Sequence, residues 1–316
     1  MPAVLILTTF FFFLLSCSIP EPIETTVEKT TKTIKRTTRS ITRTITLDDR
    51  DLQRTVDILN FENNSARESR EFEEVFHKGL PDYISSTCPG VLTADPSTGS
   101  IKSMMQAPPK LKTGITDNYA LALLGRQLGL NAIVLGSLDD IRTMSEIRGV
   151  WVTKDTHYMV KVFIRVEMID TRTATKILDN TFERQIEVDD IDYQMIKESD
   201  KISLPDLNVT LNKLLTDIGD SICDTLRDQP WTGFITKIDG DKYLVSSGSR
   251  IGLRVGDVLE VFDSSRIIEG VGGQRFITPG LKIGEIEIVS ITDKNSEARL
   301  IEGKGIVAGS TVRRKD

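Results

Sequence analysis

Apolar side chains recur at two spacings along this chain of 316 residues, and each spacing predicts a different kind of element. Between Tyr158 and Ile169, apolar and charged residues alternate, which is typical of a strand with one buried face. A turn at residues 170–174 and a second run at residues 177–188 make this pair a long antiparallel hairpin. Between Leu207 and Leu226, apolar residues recur every three or four positions, which predicts a long amphipathic helix.

A second helix and a buried strand are predicted before that hairpin. Thr116 is a candidate N-cap, an apolar stripe follows it, and Gly129 is placed to end the helix in the left-handed conformation. Residues 132–135 are all apolar and predict a buried strand, and residues 55–61 predict another. Because strands and helices are interspersed and one hairpin is antiparallel, we expect residues 48–229 to form an α+β, or mixed α/β, domain.

The pattern changes at Pro230. From there to residue 316, short runs of alternating residues are separated by glycine and Asp-Gly turns. Strands of this length at this spacing predict a small all-β barrel over residues 230–316. The glycines at residues 270–273 lie between two such runs, and no helix follows them. We therefore interpret them as a hairpin loop rather than as a phosphate-binding loop.

The N-terminus carries the most specific localisation signal. Residues 3–15 are largely apolar but too short for the roughly 20 helical residues that span a bilayer, so we interpret them as part of a signal peptide. The phrase Leu14-Leu15-Ser16-Cys17 at their end resembles the bacterial lipobox. That resemblance implies acyl chains on Cys17, which make a durable membrane anchor, and Ser18 after it implies sorting to the outer membrane. We therefore expect a signal peptide and lipobox at residues 1–17, and a protein anchored at the periplasmic face of the outer membrane.

The net charge of −6 is unevenly distributed along the chain. A threonine-rich tether is predicted at residues 18–47, and six Lys or Arg side chains lie at residues 25–47 beside a single glutamate. Residues 48–229 carry 21 basic and 31 acidic side chains. No predicted domain has the clustered positive charge that displaces counterions from nucleic acid, so no nucleic-acid partner is expected.

Candidate catalytic and metal-binding groups are few. The two histidines, His77 and His157, have no other good ligand three or four residues away in a recognisable set. Asp189, Asp190 and Asp192 form the densest acidic group, but they lack the glycine and the trailing glutamate of a calcium loop, so we interpret them as a solvated turn. No G-x-S-x-G nucleophile elbow occurs. We therefore expect no catalytic residue, no cofactor, no bound metal and no enzymatic activity.

Cys88 and Cys223 are the cysteines that remain once Cys17 is lipidated. In an oxidising compartment two such thiols can form one disulfide. The alternative is two buried, unpaired cysteines in separate helices, and the sequence leaves both options open.

Three phrases carry a resemblance to a known family: VDILNFEN at residues 56–63, LGRQLGLNAIVLGS at residues 124–137 and RVEMIDTRTA at residues 165–174. They resemble the periplasmic α/β domain shared by curli-secretion (CsgG-like) lipoproteins, the N-terminal domain of TolB and the flagellar assembly protein FlgT. Residues 248–262 are similar to the C-terminal domain of FlgT. Ala174 differs from the family, whose turn usually has glycine at that position.

The resemblance implies an assembly or scaffold factor of a cell-envelope machine, with the flagellar basal body as the most specific expectation. Its partners would be the membrane and envelope or flagellar proteins, and the oligomeric state stays open. The alternative is a CsgG-like outer-membrane secretion pore, whose spanning strands need about 9–11 residues with an apolar outward face. The candidate insertions are residues 143–157 and 189–204. Neither has such a pattern over two strands, so we favour the scaffold.

Overall fold

The structure, a computed structural model, confirms the predicted fold class. It combines a mixed sheet that has helices on both faces with a closed barrel of six strands. Cys17, the leader that contains it and the tether lie outside the described residues, and the predicted domain boundaries remain predictions. The described residues are 52–59, 61–65, 72, 75–94, 108–198 and 207–315.

The sheet has six strands in the order β3-β1-β4-β5-β6, with β2 paired to β4. β1 is parallel to β3 and β4, whereas β5 is antiparallel to both β4 and β6, so the predicted hairpin is formed by β5 and β6. Of the strand predicted at residues 55–61, the structure has β1 up to Ile58, and β2 begins only after the predicted range ends. The strands are β1 (Arg54–Ile58), β2 (Glu62–Asn63), β3 (Val91–Thr93), β4 (Ala132–Arg148), β5 (Asp155–Asp170) and β6 (Lys176–Val188).

β4 is far longer than the four residues predicted for it, since it runs for 17 residues. Its pairing with β5 shifts register between Leu138 and Asp140, which marks a bulge. Beyond the bulge most side chains of β4 are partly or fully exposed, so apolar and polar residues no longer alternate there. Residues 143–157 accordingly form the outer parts of β4 and β5 and the turn between them, not a separate insertion.

α1 (Leu80–Thr87) and the longest helix of the described residues pack on one face of the sheet. α1 follows a π-helical turn (Val75–Gly79), and the long helix that we number α4 below (Leu207–Arg227) packs beside it. The long helix buries its predicted apolar stripe against alternate residues of β5. No helix of the described part of the chain is both long enough and apolar enough to cross a membrane.

α2 (Asn118–Gln127) lies on the opposite face. Its N-cap is Asp117, one residue after the predicted Thr116, and the Asp117 carboxylate accepts a hydrogen bond from the Ala120 amide at 3.0 Å. Gly129 follows the helix with a φ of 72°, the left-handed conformation that its position predicted. A Cβ at this position would lie 1.9 Å from the Ser246 carbonyl oxygen, so the close approach also requires glycine.

The acidic group at residues 189–192 was predicted as a solvated turn, and that prediction is wrong. α3 (Asp190–Glu198) begins there and is followed in chain order by α4. The Asp189 carboxylate accepts a hydrogen bond from the Asp192 amide at 2.7 Å, as an N-cap does. Negative charge in the first turn is also favoured by the helix dipole, so the same aspartates that suggested a loop stabilise the start of a helix.

The barrel closes in the order β12-β13-β8-β7-β14-β9. Between β9 and β12 the chain forms a small hairpin, β10–β11, whose loop contains the glycines at residues 270–273, as interpreted from the sequence. The strands are β7 (Gly233–Asp239), β8 (Lys242–Val245), β9 (Val258–Phe262), β10 (Ile267–Glu269), β11 (Arg275–Ile277), β12 (Lys282–Ile291), β13 (Ser296–Gly303) and β14 (Thr311–Arg314).

Arg126 on α2 is the centre of a buried polar junction between the sheet and the barrel. It donates hydrogen bonds to the carbonyl oxygens of Thr171 and Arg172, in the turn after β5, at 2.8 and 2.5 Å. It also donates to the Gly309 carbonyl oxygen of the barrel at 3.1 Å, and its guanidinium lies 5.0 Å from the centroid of the Phe234 ring. Burial lowers the pKa of Arg126 to about 10, which still leaves it charged at neutral pH.

Two asparagines extend the junction. The side-chain amide of Asn131 donates to the Thr232 carbonyl oxygen at 2.8 Å, and that of Asn118 donates to the carbonyl oxygens of Ala174 and Arg275 at 2.6 and 2.8 Å. Ala174 has a φ of 60°, the left-handed conformation that favours the glycine of the resembled family. Much of the junction therefore comes from the phrases at residues 124–137 and 165–174.

Candidate functional site

The hairpin formed by β4 and β5 extends past the end of β6. The last residue pair of β5 with β6 is Tyr158 with Val188, while β4 and β5 stay paired out to Arg148 and Asp155. We call residues 146–157 the arm. Because three further pairs lie beyond Tyr158, the arm extends about 10 Å from the sheet before its turn begins.

The end of the arm is apolar and exposed. Trp151 and Val152 have 91% and 90% of their surface exposed, and Val150 and Ile147 have 77% and 69%. We call these four residues the arm tip. Single exposed apolar residues are common on protein surfaces, whereas three adjacent ones that include a tryptophan form an apolar patch of the kind found at interaction sites.

The turn of the arm tip has a defined geometry. The Thr153 amide donates to the Val150 carbonyl oxygen at 2.7 Å and closes the turn. Gly149 has a φ of 108°, and a Cβ there would lie 2.0 Å from the Thr153 carbonyl oxygen. Only glycine fits this position, so the sequence presents the three apolar residues on a tight turn.

The charges of the arm change from its tip to its base. Arg148 pairs with Glu146 at 3.0 Å, and Lys154 is exposed on the other side of the turn. At the base, His157 Nδ1 lies 2.6 Å from an oxygen of Glu187, and this contact lowers the pKa of the Glu187 carboxyl. The outermost residues, 147–154, thus carry two cations and no carboxylate.

The base of the arm rests on α3. The rings of Tyr158 and Tyr193 have centroids 4.6 Å apart, and the Lys197 ammonium lies 6.0 Å from the Tyr193 ring. The residue that precedes β4 is Asn131 of the junction, and Arg148 ends the strand near the tip. A strand of 17 residues spans on the order of 50 Å, so the arm tip and the barrel junction lie at opposite ends of one strand.

Several cavities lie elsewhere on the described part of the fold, and two of them exceed 200 Å³. One, of about 270 Å³, is bordered by Glu62, Lys110, Arg165, Glu167 and Lys176, and its charges pair with one another, as in the 2.6 Å contact between Lys176 and Glu167. The other, of about 220 Å³, lies between the end of α2 and the barrel.

Of the residues that the sequence singled out, the structure brings Cys88 and Cys223 together. Cys88 at the end of α1 and Cys223 on α4 are joined in a disulfide, with 5.6 Å between their Cα atoms. His77 is exposed on the π-helical turn, whereas His157 belongs to the arm. Among the described residues, no group of three or more His, Cys, Asp or Glu side chains is arranged to hold a metal ion. The arm tip was visible in the sequence only as a short apolar patch at residues 149–152.

No protein-family model and no curated protein matches this chain. Among solved structures, a hypothetical protein from Chlamydia trachomatis is 9% identical over 56% of this chain and 99% of its own, with a TM-score of 0.34. A lipoprotein from Neisseria meningitidis is 10% identical over 54% of this chain and 99% of its own, with a TM-score of 0.29. TolB from Acinetobacter baumannii is 9% identical over 78% of this chain and 57% of its own, with a TM-score of 0.26. We base no conclusion about function on likenesses of this size.

Proposed function

We propose that this protein is a non-enzymatic scaffold or assembly factor of the bacterial cell envelope, held at the periplasmic face of the outer membrane by lipid on Cys17. The observation that carries the proposal is the arm, which presents an exposed apolar tip on the order of 50 Å from the barrel junction. A scaffold needs binding surfaces that are held apart at a fixed distance. One continuous strand, β4, runs between the junction and the arm tip and supplies that distance.

The buried contacts at the junction support the same function. Three carbonyl oxygens receive hydrogen bonds from Arg126, and two of them belong to the sheet domain while the third belongs to the barrel. The bond to Gly309 crosses to residues 230–316, as do those from Asn131 to Thr232 and from Asn118 to Arg275, so rotation of the barrel against the sheet would break these three hydrogen bonds, which is costly. In a scaffold built in this way the barrel and the arm tip keep a fixed position relative to each other. In a flexibly linked pair of domains they would not.

The specific machine is the finer part of the proposal. Residues 48–229 and 248–262 resemble parts of FlgT, so the flagellar basal body is the first assembly to examine. Deletion of the gene should disrupt assembly of one envelope complex and, for the flagellar role, should reduce motility and basal-body number. The wild-type gene should restore both, and a Cys17→Ser gene should restore them poorly because the product is not anchored. Normal motility and basal bodies in the deletion strain would exclude the flagellar role.

A conductance measurement tests the scaffold itself. The lipidated full-length protein, added to planar bilayers, should leave the bilayer conductance unchanged. Discrete and reproducible conductance steps would replace the scaffold with the secretion-pore alternative.

A further inference from the structure

We propose that the arm tip docks on a lipid bilayer and inserts Trp151 and Val152 among the lipid headgroups. The inference rests on the proposed envelope function, because it requires a protein that faces a membrane. It adds the kind of partner that the arm meets and the residues that meet it.

The shape of the arm tip fits a lipid surface. Val150, Trp151 and Val152 are consecutive residues on a closed turn, and each has more than three quarters of its surface exposed. They form a narrow projection, which a fluid bilayer can surround without a matching cavity. Tryptophan is also the side chain that concentrates at the boundary between headgroups and acyl chains, since its ring is amphipathic.

The charge around the arm tip fits the same surface. Arg148, the last residue of β4, and Lys154, the residue before β5, flank the apolar turn, and residues 147–154 contain no acidic side chain. Cations placed at headgroup level while apolar neighbours insert are the arrangement by which proteins bind membrane interfaces. The nearest carboxylates, those of Glu146 and Asp155, belong to the paired strands behind the turn.

The length of the chain outside the structure allows this docking while Cys17 is anchored. Asp51 lies 34 residues after Cys17, and a chain of that length can extend to at most about 110–120 Å. This limit exceeds the span of roughly 50 Å between the junction and the arm tip. The lipid anchor and the arm tip can therefore reach the same bilayer.

The chain has two tryptophans, and they provide the test. Trp151 is at the arm tip, whereas Trp231 is buried in the barrel with 7% of its surface exposed. The lipidated full-length protein is reconstituted in vesicles of phosphatidylethanolamine and phosphatidylglycerol, with and without bromine on the acyl chains. Trp231→Phe leaves Trp151 as the one fluorophore, and Trp151→Phe leaves Trp231. We expect bromine to quench the Trp231→Phe protein and to leave the Trp151→Phe protein unquenched.

Matched variants keep the test decisive. Val152→Asp in the Trp231→Phe protein should abolish quenching, whereas Val271→Asp should not, although Val271 on the β10–β11 loop is 94% exposed. If Trp231→Phe does not fold, the difference in quenching between the wild type and Trp151→Phe reports the same quantity.

Two results would overturn the inference. One is Trp151 emission that bromine does not quench in a folded protein. The other is a photo-crosslinking residue at position 150 that forms adducts in cells with one protein and none with lipid. A Trp151→Ser gene tests the scaffold separately. If this gene restores the deletion strain, lipid docking is not required for the function, and the scaffold proposal still holds.

Discussion

The two ends of β4 differ in which side chains are buried and which are exposed. At its start, Asn131 and neighbouring Arg126 are polar, yet both are buried and their hydrogen bonds join the sheet to the barrel. At its far end, Trp151 and Val152 are apolar, yet both are almost fully exposed. Burial of a polar group costs free energy unless hydrogen bonds compensate for it, and exposed apolar surface contributes nothing to folding.

This difference separates residues that maintain the fold from residues that are available to a partner. The junction uses its polar groups internally, so a change there should lower the stability of the whole chain. The apolar groups of the arm tip are exposed and do not stabilise the described part of the fold, so a change there should leave stability intact. Substitutions at the two ends test this contrast directly.

Among changes at the two ends of β4, Arg126→Ala should have the largest effect. The substitution removes hydrogen bonds to three carbonyl oxygens and leaves them buried, so we expect the free energy of unfolding to fall by about 4 kcal/mol. Denaturant unfolding of the full-length protein measures the loss. The control is Arg148→Ala in the arm, where an exposed ion pair with Glu146 should be worth less than about 0.5 kcal/mol. Equal losses for the two variants would contradict the contrast between the ends.

Removal of the disulfide should have the next largest effect. Cys88 and Cys223 are separated by 135 residues and join α1 to α4 across the core. We expect the Cys88→Ser, Cys223→Ser double variant to lose about 2–4 kcal/mol, since the unfolded chain is no longer constrained. Alkylation without reductant, followed by mass measurement, checks the bond itself. Two alkylated thiols in the protein isolated from its host would show that these cysteines are unpaired there.

Asp57→Asn should increase stability by about 2 kcal/mol at pH 8. Asp57 on β1 pairs in register with Ile133 near the start of β4, and burial raises the pKa of its carboxyl to about 6 despite a backbone hydrogen bond from Ile58. Because the folded pKa lies above the unfolded one, the wild type should lose stability as pH rises from about 4 to about 6. The limit of that loss is about 3 kcal/mol at 1.36 kcal/mol per pKa unit.

Unfolding curves between pH 4 and pH 8 measure this effect. The advantage of Asp57→Asn over the wild type should grow up to about pH 6 and then stay constant. Asp155→Asn, at an exposed position in the arm, is the matched control and should show no such trend. An advantage for Asp57→Asn that is independent of pH would show that the carboxyl titrates normally.

Periodicity predicted the elements that bury one face. The stripe from Leu207 to Leu226 became α4, and the alternation from Tyr158 to Ile169 became β5, because burial of one face requires that spacing. The barrel strands were predictable for the same reason. The outer half of β4 was not, since a strand that is mostly exposed has no reason to alternate.

The site depended on information that a sequence pattern does not contain. Arg126 and Gly309 lie 183 residues apart, so nothing local to either residue indicates their hydrogen bond. The apolar patch at residues 149–152 was visible, but its exposure became evident only once β4 and β5 were seen to extend beyond β6. The aspartates at residues 189–192 were misinterpreted because turns and helix N-termini favour the same residues.

Trp151→Ser should have the smallest effect on stability and is the sharpest comparison, because the other tryptophan provides its control. With 91% of its surface exposed, Trp151 buries little apolar area, so its loss should change the free energy of unfolding by less than about 0.5 kcal/mol. Trp231→Ser removes a buried ring from the barrel core and should cost about 3–5 kcal/mol. Thermal and denaturant unfolding of both variants measures the difference. A loss above about 2 kcal/mol for Trp151→Ser would mean that the ring packs within the protein in solution, and the arm tip would then not be a free surface.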